Sequence, residues 1–163
     1  ISEQGYINVV DWNDAAAPAV LSALAVDLAG KKLTDIEICT SLGVFFVGAG
    51  ADDTVSNGKV HVFHTVKRAN PTTPAQITEV TVGPLPDMLL PNSACTKVAV
   101  ANEGEGDYGS SLTDPAGSVM IISSSDFSTG TPTVETISLS TYTDEELKAM
   151  GVHLPLEEKA MEY

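Results

Sequence analysis

Gly58-Lys-Val-His-Val-Phe-His64 and Ile77-Thr-Glu-Val-Thr-Val82 are the most regular stretches of the chain, because apolar and polar side chains alternate along both of them. Alternation with a period of two is typical of β-strands that have one buried face. The segment between them, Asn70-Pro-Thr-Thr-Pro74, has the composition of a turn. This region therefore predicts two consecutive strands and indicates an all-β fold.

Further strands are predicted on both sides of this pair. Val44-Phe-Phe-Val47 is continuous and apolar, which is typical of a strand buried on both faces. Other β-rich runs cover residues 6–10, 97–101, 118–122 and 134–139. One short helix is predicted near 143–150, because Thr143 and Glu146 form a capping-box pattern and Lys148 suits the last turn.

The strands recur in a fixed order along the chain. Gly5, Gly58 and Gly117 each precede alternating apolar residues, and Asp35 and Asp87 each begin a strand between these glycines. A unit thus holds four strands at a period of about 50 to 60 residues, as in the blades of a β-propeller. A β-sandwich is the structural alternative.

The number of units predicts an incomplete domain. Residues 1–163 are expected to form a single propeller-like segment, with two complete four-stranded units and partial units at its ends. A closed propeller needs at least about four blades. The segment is therefore expected to be part of a larger domain that further chain or other proteins complete.

The chain is strongly acidic, with 22 Asp and Glu against 8 Lys and Arg and a formal net charge of −14. This balance argues against nucleic acids, whose binding needs Lys and Arg at phosphates, and against anionic membrane surfaces. The expected partners are cations, basic proteins and basic mineral faces. The plainer alternative is that the charge only keeps the protein soluble. No apolar run is long enough to span a bilayer.

An acidic loop is predicted between the strands at 97–101 and 118–122. Its carboxylates, which have no base nearby in the sequence, are Glu103, Glu105, Asp107 and Asp114. Calcium prefers six to eight oxygen ligands from carboxylates, amides and carbonyls, so the loop is a candidate calcium site. A solvated acidic loop is the alternative.

A second candidate cation site comes from acids near the beginnings of strands. Asp35, Glu37 and Asp87 could converge at the central channel of a propeller and share a cation, or each could cap a local turn. His61 and His64 lie three apart on one strand and so point to opposite faces, which argues against a histidine metal site. The sequence motifs of common hydrolases are absent.

Cys39 and Cys95 are the two cysteines of the chain. Two are too few for a disulfide framework, and their spacing is not that of a metal site. The residues alone leave a single disulfide and two buried thiols as open alternatives.

The sequence resembles mesenchyme-specific cell-surface glycoproteins, most specifically over residues 85–122. Five stretches stand in the order seen in that family: Thr34-Asp-Ile-Glu-Ile-Cys39, Gly58-Lys-Val-His-Val-Phe63, Thr81-Val-Gly-Pro-Leu-Pro-Asp-Met88, Val98-Ala-Val-Ala-Asn-Glu-Gly-Glu105 and Asp114-Pro-Ala-Gly-Ser-Val-Met-Ile-Ile122. The resemblance implies a propeller-like, secreted or surface-attached glycoprotein associated with calcium carbonate biomineralisation. It also implies a disulfide between Cys39 and Cys95, because both stand at cysteine positions of the family.

Three functional hypotheses follow. The first is an extracellular or cell-surface acidic structural or matrix protein that binds calcium and partner molecules, in biomineralisation or in an extracellular assembly. The alternative is a calcium-dependent phosphoesterase of propeller type, alkaline-phosphatase-like or phytase-like, in which the acids at strand starts would hold metals around a phosphate. The third is a subunit of a filament or shell, because open strand edges invite pairing.

Overall fold

The computed structural model describes residues 5–28, 30–106, 115–138 and 142–151. The described chain begins with four short strands, which are β1 (Tyr6–Ile7), β2 (Val10–Asp11), β3 (Ala19–Val20) and β4 (Val26–Asp27), with a 3-10 turn at Ser22–Leu24. Strand β1 pairs with β4, and β2 pairs with β3. The single strand predicted over 6–10 was therefore wrong, because its two ends pair with different partners.

Two four-stranded antiparallel sheets follow. The first sheet consists of β5 (Lys32–Cys39), β6 (Val44–Gly50), β7 (Asn57–His64) and β8 (Gln76–Pro84), in chain order. The second sheet consists of β9 (Pro86–Pro91), β10 (Lys97–Asn102), β11 (Ser118–Ser123) and β12 (Thr133–Ser138), also in chain order. The all-β prediction is confirmed. That the two sheets are propeller blades stays a prediction.

The two sheets agree with the repeat in the sequence. The strands that follow Gly58 and Gly117 are both third strands, β7 and β11, while Asp35 and Asp87 lie in the first strands, β5 and β9. Equivalent sequence motifs therefore occupy equivalent positions in the two sheets, as expected for a repeated unit.

A continuous hydrophobic cluster fills the space between the two sheets. Its buried members are Cys39, Val44, Phe46, Val60, Val62, Val80, Val82, Leu89, Cys95, Val98, Val100, Ile122 and Phe127. Phe127, in the turn between β11 and β12, meets Phe46 edge to face with ring centroids 5.0 Å apart. This arrangement of aromatic rings is a favourable one, and it joins the two sheets into one core.

The opposite face of the first sheet is covered as well. Ile7 of β1 and Val26 of β4 belong to a second cluster with Leu33, Phe45, Val47, Ala49 and Phe63. All seven residues of β6 are buried, which agrees with the continuous apolar run predicted to lie between two layers.

The chain crosses from the first sheet to the second through one residue, Leu85, which has a left-handed φ of 47°. Pro86 then passes directly over Gly58, where a Cβ atom would lie 2.4 Å from the Cδ of Pro86. A Cβ on Gly48 would similarly lie 2.7 Å from the Oγ1 of Thr34. Since glycine permits such close approach of two chain segments, β9 can lie against β5 and β6.

The helix α1 spans Asp144–Ala149, within the predicted range. Thr143 caps it: the backbone N–H of Glu146 donates to Thr143 Oγ1, and the N–H of Thr143 donates to Glu146 Oε2 at 2.8 Å. The predicted capping box is therefore confirmed, and the backbone N–H and the hydroxyl of Thr143, which both donate to the Glu146 carboxylate, hold the pKa of Glu146 below its usual value.

Candidate functional site

Asp35 lies in a β-bulge of β5, at the register shift between Leu33 and Ile36. Its Oδ1 accepts a hydrogen bond from the N–H of Ile36 at 2.8 Å, and its Oδ2 accepts one from the N–H of Leu89 at 2.7 Å. Bulges re-aim side chains, and this one turns the carboxylate toward the first strand of the second sheet. Asp35 therefore joins the two sheets, besides making the local contact expected of a turn cap.

The other two acids of that candidate site have different surroundings. Glu37 is half-buried on β5, and Asp87 is exposed on β9, near the register shift opposite Ala101 and Asn102. Among the described residues, no three His, Cys, Asp or Glu side chains come together as a group that could hold a metal ion. A cation shared by Asp35, Glu37 and Asp87 stays a prediction from the sequence.

The acidic loop begins beside the crossover between the sheets. The N–H of Glu103 donates to the carbonyl of Leu85 at 3.0 Å, and the N–H of Gly104 donates to the carbonyl of Pro84 at 3.3 Å. Both Glu103 and Glu105 are exposed. Asp107 and Asp114 lie outside the described residues, so the calcium site proposed for this loop stays a prediction.

Asn102, the last residue of β10, lies at the root of this loop and is only 2% exposed. Its Nδ2 donates to Ser118 Oγ at 3.1 Å, whereas its Oδ1 is buried without a hydrogen-bond partner in the described part of the chain. An unpaired buried amide oxygen is unfavourable. It is also a suitable ligand for a hard cation.

Cys39 and Cys95 form a disulfide, with their Cα atoms 6.1 Å apart. Cys39 ends β5 of the first sheet, and Cys95 lies in the turn between β9 and β10 of the second. This is the pair that the family resemblance implied. The bond ties the first strand of one sheet to the turn that follows the first strand of the other.

The second sheet has an apolar face that the sequence reasoning missed. Opposite the face that packs on the first sheet, strand pairing aligns a set of side chains. They are Met88, Leu90, Ala99, Ala101, Val119, Ile121 and Ile137. Met88, Leu90 and Ile137 are 54%, 59% and 48% exposed, so this face is largely uncovered. The signal lies in β9 and β11, which carry apolar residues on both faces.

Two of the hollows formed by the described residues lie against the first sheet, on its side away from the second sheet. One is apolar, has a volume of about 430 Å³, and is lined mainly by Ile36, Ile38 and Phe45 of the first sheet and by Ile7 and Val9. The other is polar, has a volume of about 210 Å³, and includes His61, Lys31 and Lys59 in its lining. Neither hollow could be read from the sequence, because each joins segments that are distant along the chain.

Comparison with known families identifies the chain. The model of the Choice-of-anchor I domain matches residues 1–162. The chain belongs to the choice-of-anchor I domain family. The comparisons with curated proteins and with solved structures each gave no match.

Membership of this family bears on where the protein is found. The name of the choice-of-anchor I domain refers to attachment at a surface, which supports the extracellular or cell-surface location expected from the sequence. In the described ranges, none of the helices has the length and apolar character needed to cross a membrane. The resemblance of this choice-of-anchor I domain to mesenchyme-specific cell-surface glycoproteins stays an expectation from the sequence.

Proposed function

We propose that this choice-of-anchor I domain is a structural module of an extracellular or cell-surface assembly, in which a further four-stranded β-sheet stacks on its second sheet. The observation that carries the proposal is the apolar face formed by Met88, Leu90, Ile137 and their neighbours. The first sheet is covered on both of its faces. Among the described residues, the second sheet is covered on one face only, and Met88, Leu90 and Ile137 of its other face are exposed.

The arrangement of the apolar residues favours a sheet as the occupant. Two rows run across all four strands, and Glu135 is the single charged residue in them. The first row contains Leu90, Ala99, Ile121 and Glu135, and the second contains Met88, Ala101, Val119 and Ile137. A flat apolar surface of this kind matches the side chains of another sheet packed at about 10 Å. Burying it removes apolar area from water, which stabilises the complex.

Charge changes on this face test the stacking. Leu90→Lys combined with Ile137→Lys places two charges on the face, and Ser125→Lys combined with Thr131→Lys makes the same change of charge in an exposed turn. In sedimentation velocity, we expect the average mass of the wild type and of the turn variant to rise with concentration. The face variant should stay monomeric. A wild type that is monomeric at every concentration and does not bind an apolar dye would contradict the proposal.

We also propose that calcium binds the acidic loop and that calcium mineral surfaces or basic proteins are partners. The support is the net charge of −14, the exposed Glu103 and Glu105, and Oδ1 of Asn102 at the root of the loop, which has no hydrogen-bond partner among the described residues. These oxygen atoms fit the preference of calcium for carboxylate and amide ligands. Calcium would supply the positive charge that the loop lacks.

Thermal melts in chelator and in millimolar calcium test this part. A ligand that binds only the folded state stabilises it by about 2.7 kcal/mol at one hundred times its Kd, so the midpoint should rise by several degrees. Glu105→Gln with Asp107→Asn should abolish the rise, whereas Asp52→Asn with Glu145→Gln should keep it. Equal midpoints with calcium and with chelator would leave the loop as a solvated acidic segment.

The calcium-dependent phosphoesterase is the second candidate. It rests on Asp35, Glu37 and Asp87, whose carboxylates would have to hold metal ions around a phosphate. Incubation of the protein with phytate and with a generic phosphomonoester in calcium tests it. Turnover that is lost in Asp87→Asn would replace the structural role with a catalytic one, and no turnover would remove this candidate.

A further inference from the structure

The geometry points to a binding site for a small oxyanion, a phosphate or a carboxylate group, in the polar hollow beside His61. The hollow lies where β6 and β7 meet, and Lys31 reaches it from the segment before β5. Its volume of about 210 Å³ compares with about 30 Å³ for one molecule of liquid water. Ala49, Gly50 and Gly58 line the wall, and their small size leaves this space open.

His61 gives the hollow an unsatisfied polar group. The side chain is buried, with the residue 4% exposed, and neither ring nitrogen has a hydrogen-bond partner of good geometry among the described residues. Its Nδ1 lies 3.6 Å from Oε2 of Glu79, which is longer than a normal hydrogen bond. A buried imidazole N–H without an acceptor is unfavourable. An oxyanion in the hollow would supply that acceptor.

The charges around the hollow favour an anion. Two of the eight Lys and Arg residues of the chain, Lys31 and Lys59, line it. Lys59 pairs with Glu79, whereas Lys31 forms no ion pair within the described ranges. Ammonium groups bind phosphate and carboxylate, and they repel a cation.

The two carboxylates of the lining do not cancel this preference. Asp53 accepts hydrogen bonds from the backbone N–H groups of Val55 and Ser56 and from the Ser56 hydroxyl, so its carboxylate oxygens are engaged by donors of its own turn, although its charge remains. Asp52 is exposed to solvent, where its charge is screened by water. Lys31, which forms no ion pair with any residue that the structure describes, and the buried His61 are therefore the groups that we expect to meet a ligand.

Binding of an oxyanion should be visible at the imidazole itself. Burial lowers the pKa of His61, and Lys59 and Lys31 lower it further, while Glu79 and the side chain of Gln76 raise it. Asp52 and Asp53 also line the hollow. A bound anion next to the ring favours the protonated form and so raises the pKa. A clear rise in the pKa of His61 therefore indicates an anion bound next to the ring, because a distant anion is screened and leaves this pKa nearly unchanged.

The test is an NMR titration of the His61 ring with inorganic phosphate and, separately, with acetate, in calcium-free buffer. We expect a saturable change of the His61 resonances and a higher pKa of His61 with at least one of the two probes. A response to phosphate alone would indicate that the ligand is a phosphate ester, and a response to acetate alone would indicate that it is a carboxylate. Lys31→Met should weaken the affinity by about tenfold or more. The adjacent Lys32→Met, whose residue is exposed and outside the lining, should leave it unchanged.

Two results would overturn the site. One is a wild type whose His61 resonances do not respond to either anion. The other is an equal loss of affinity in the Lys31 and Lys32 variants, which would show attraction to general positive charge only. Because the titration contains no calcium and does not involve the apolar face, its outcome is independent of the proposed structural role.

Discussion

Asp35 makes two kinds of contact with one carboxylate, a local bond to Ile36 and a bond to Leu89 on the other sheet. Asp35→Ala should lower the free energy of unfolding by about 1–3 kcal/mol, because it leaves two backbone N–H groups without their acceptor. Asp87→Ala is the matched control, since Asp87 is an exposed acid on the neighbouring strand and its removal should change little. Urea unfolding in chelator measures both.

That experiment also separates two roles of Asp35. If the loss in Asp35→Ala is the same with chelator and with calcium, the side chain acts through its hydrogen bonds. If Asp35→Ala and Asp87→Ala are equally destabilising in calcium and equally harmless in chelator, the two acids share a cation, as the sequence suggested. The geometry of the Leu89 bond favours the first result.

His61 makes the stability of the fold depend on pH. Burial holds its pKa below the ordinary value of 6.5, so the unfolded chain takes up a proton at a higher pH than the folded one. The contribution of His61 to the free energy of unfolding is therefore complete above pH 6.5, and it is lost as the pH falls from 6.5 through the pKa of His61 in the folded state. His61→Gln should remove this part of the slope in unfolding measured across that window. His64→Gln, at an exposed position of the same strand, should retain it.

At the scale of elements, the crossover into β9 depends on glycine. A Cβ on Gly58 would lie 2.4 Å from Pro86 Cδ and 2.7 Å from the carbonyl of Ala49. Gly58→Ala should therefore destabilise the protein by about 1–3 kcal/mol, the usual effect of overpacking. Gly50→Ala would meet its nearest neighbours at 3.6 Å, an ordinary contact, and should be nearly neutral. Equal effects of the two substitutions in chemical unfolding would show that the crossover is not tightly packed.

The strands themselves could be predicted because their signals are local. Alternation marks β7 and β8, and the continuous run at 44–47 marks a strand covered on both sides, which the burial of β6 confirms. The same rule could not tell that Met88 and Leu90 remain exposed. A strand with apolar residues on both faces predicts that another layer packs on each face. The pattern of one strand does not tell which segment forms the layer on the outer face.

The candidate sites could be predicted less well, because they depend on contacts between distant segments. The sequence marks Asp35 as a candidate cation ligand or turn cap, but its partner Leu89 lies on the next sheet and is reached through a bulge that no motif marks. Lys31 and His61 line the same hollow only because β6 pairs with both β5 and β7 and so holds the start of β5 near β7. The resemblance to a family, and not the spacing, implied the pairing of Cys39 with Cys95.

At the scale of the molecule, a shared core, a disulfide and the hydrogen bond from Leu89 to Asp35 hold the two sheets together. The cluster between the sheets is continuous, so we expect both sheets to unfold in a single transition. Within the part of the chain that the structure describes, the outer face of the second sheet is largely exposed, and so its attachment to the first sheet supports it on one side. The disulfide is placed where it strengthens that attachment.

Removing the disulfide should therefore weaken the whole molecule and not one sheet alone. The cysteines are 56 residues apart, and closing a loop of that length in the unfolded chain corresponds to about 4 kcal/mol in the chain-entropy description. Cys39→Ser with Cys95→Ser should lower the free energy of unfolding by about 2–5 kcal/mol while the transition remains single. Ser41→Ala is the control, because it removes the hydroxyl that donates to Cys95 Sγ at 3.2 Å and keeps the bond. Two separate transitions in the double variant would mean that the core between the sheets cannot couple them, and that the disulfide is what makes them one folding unit.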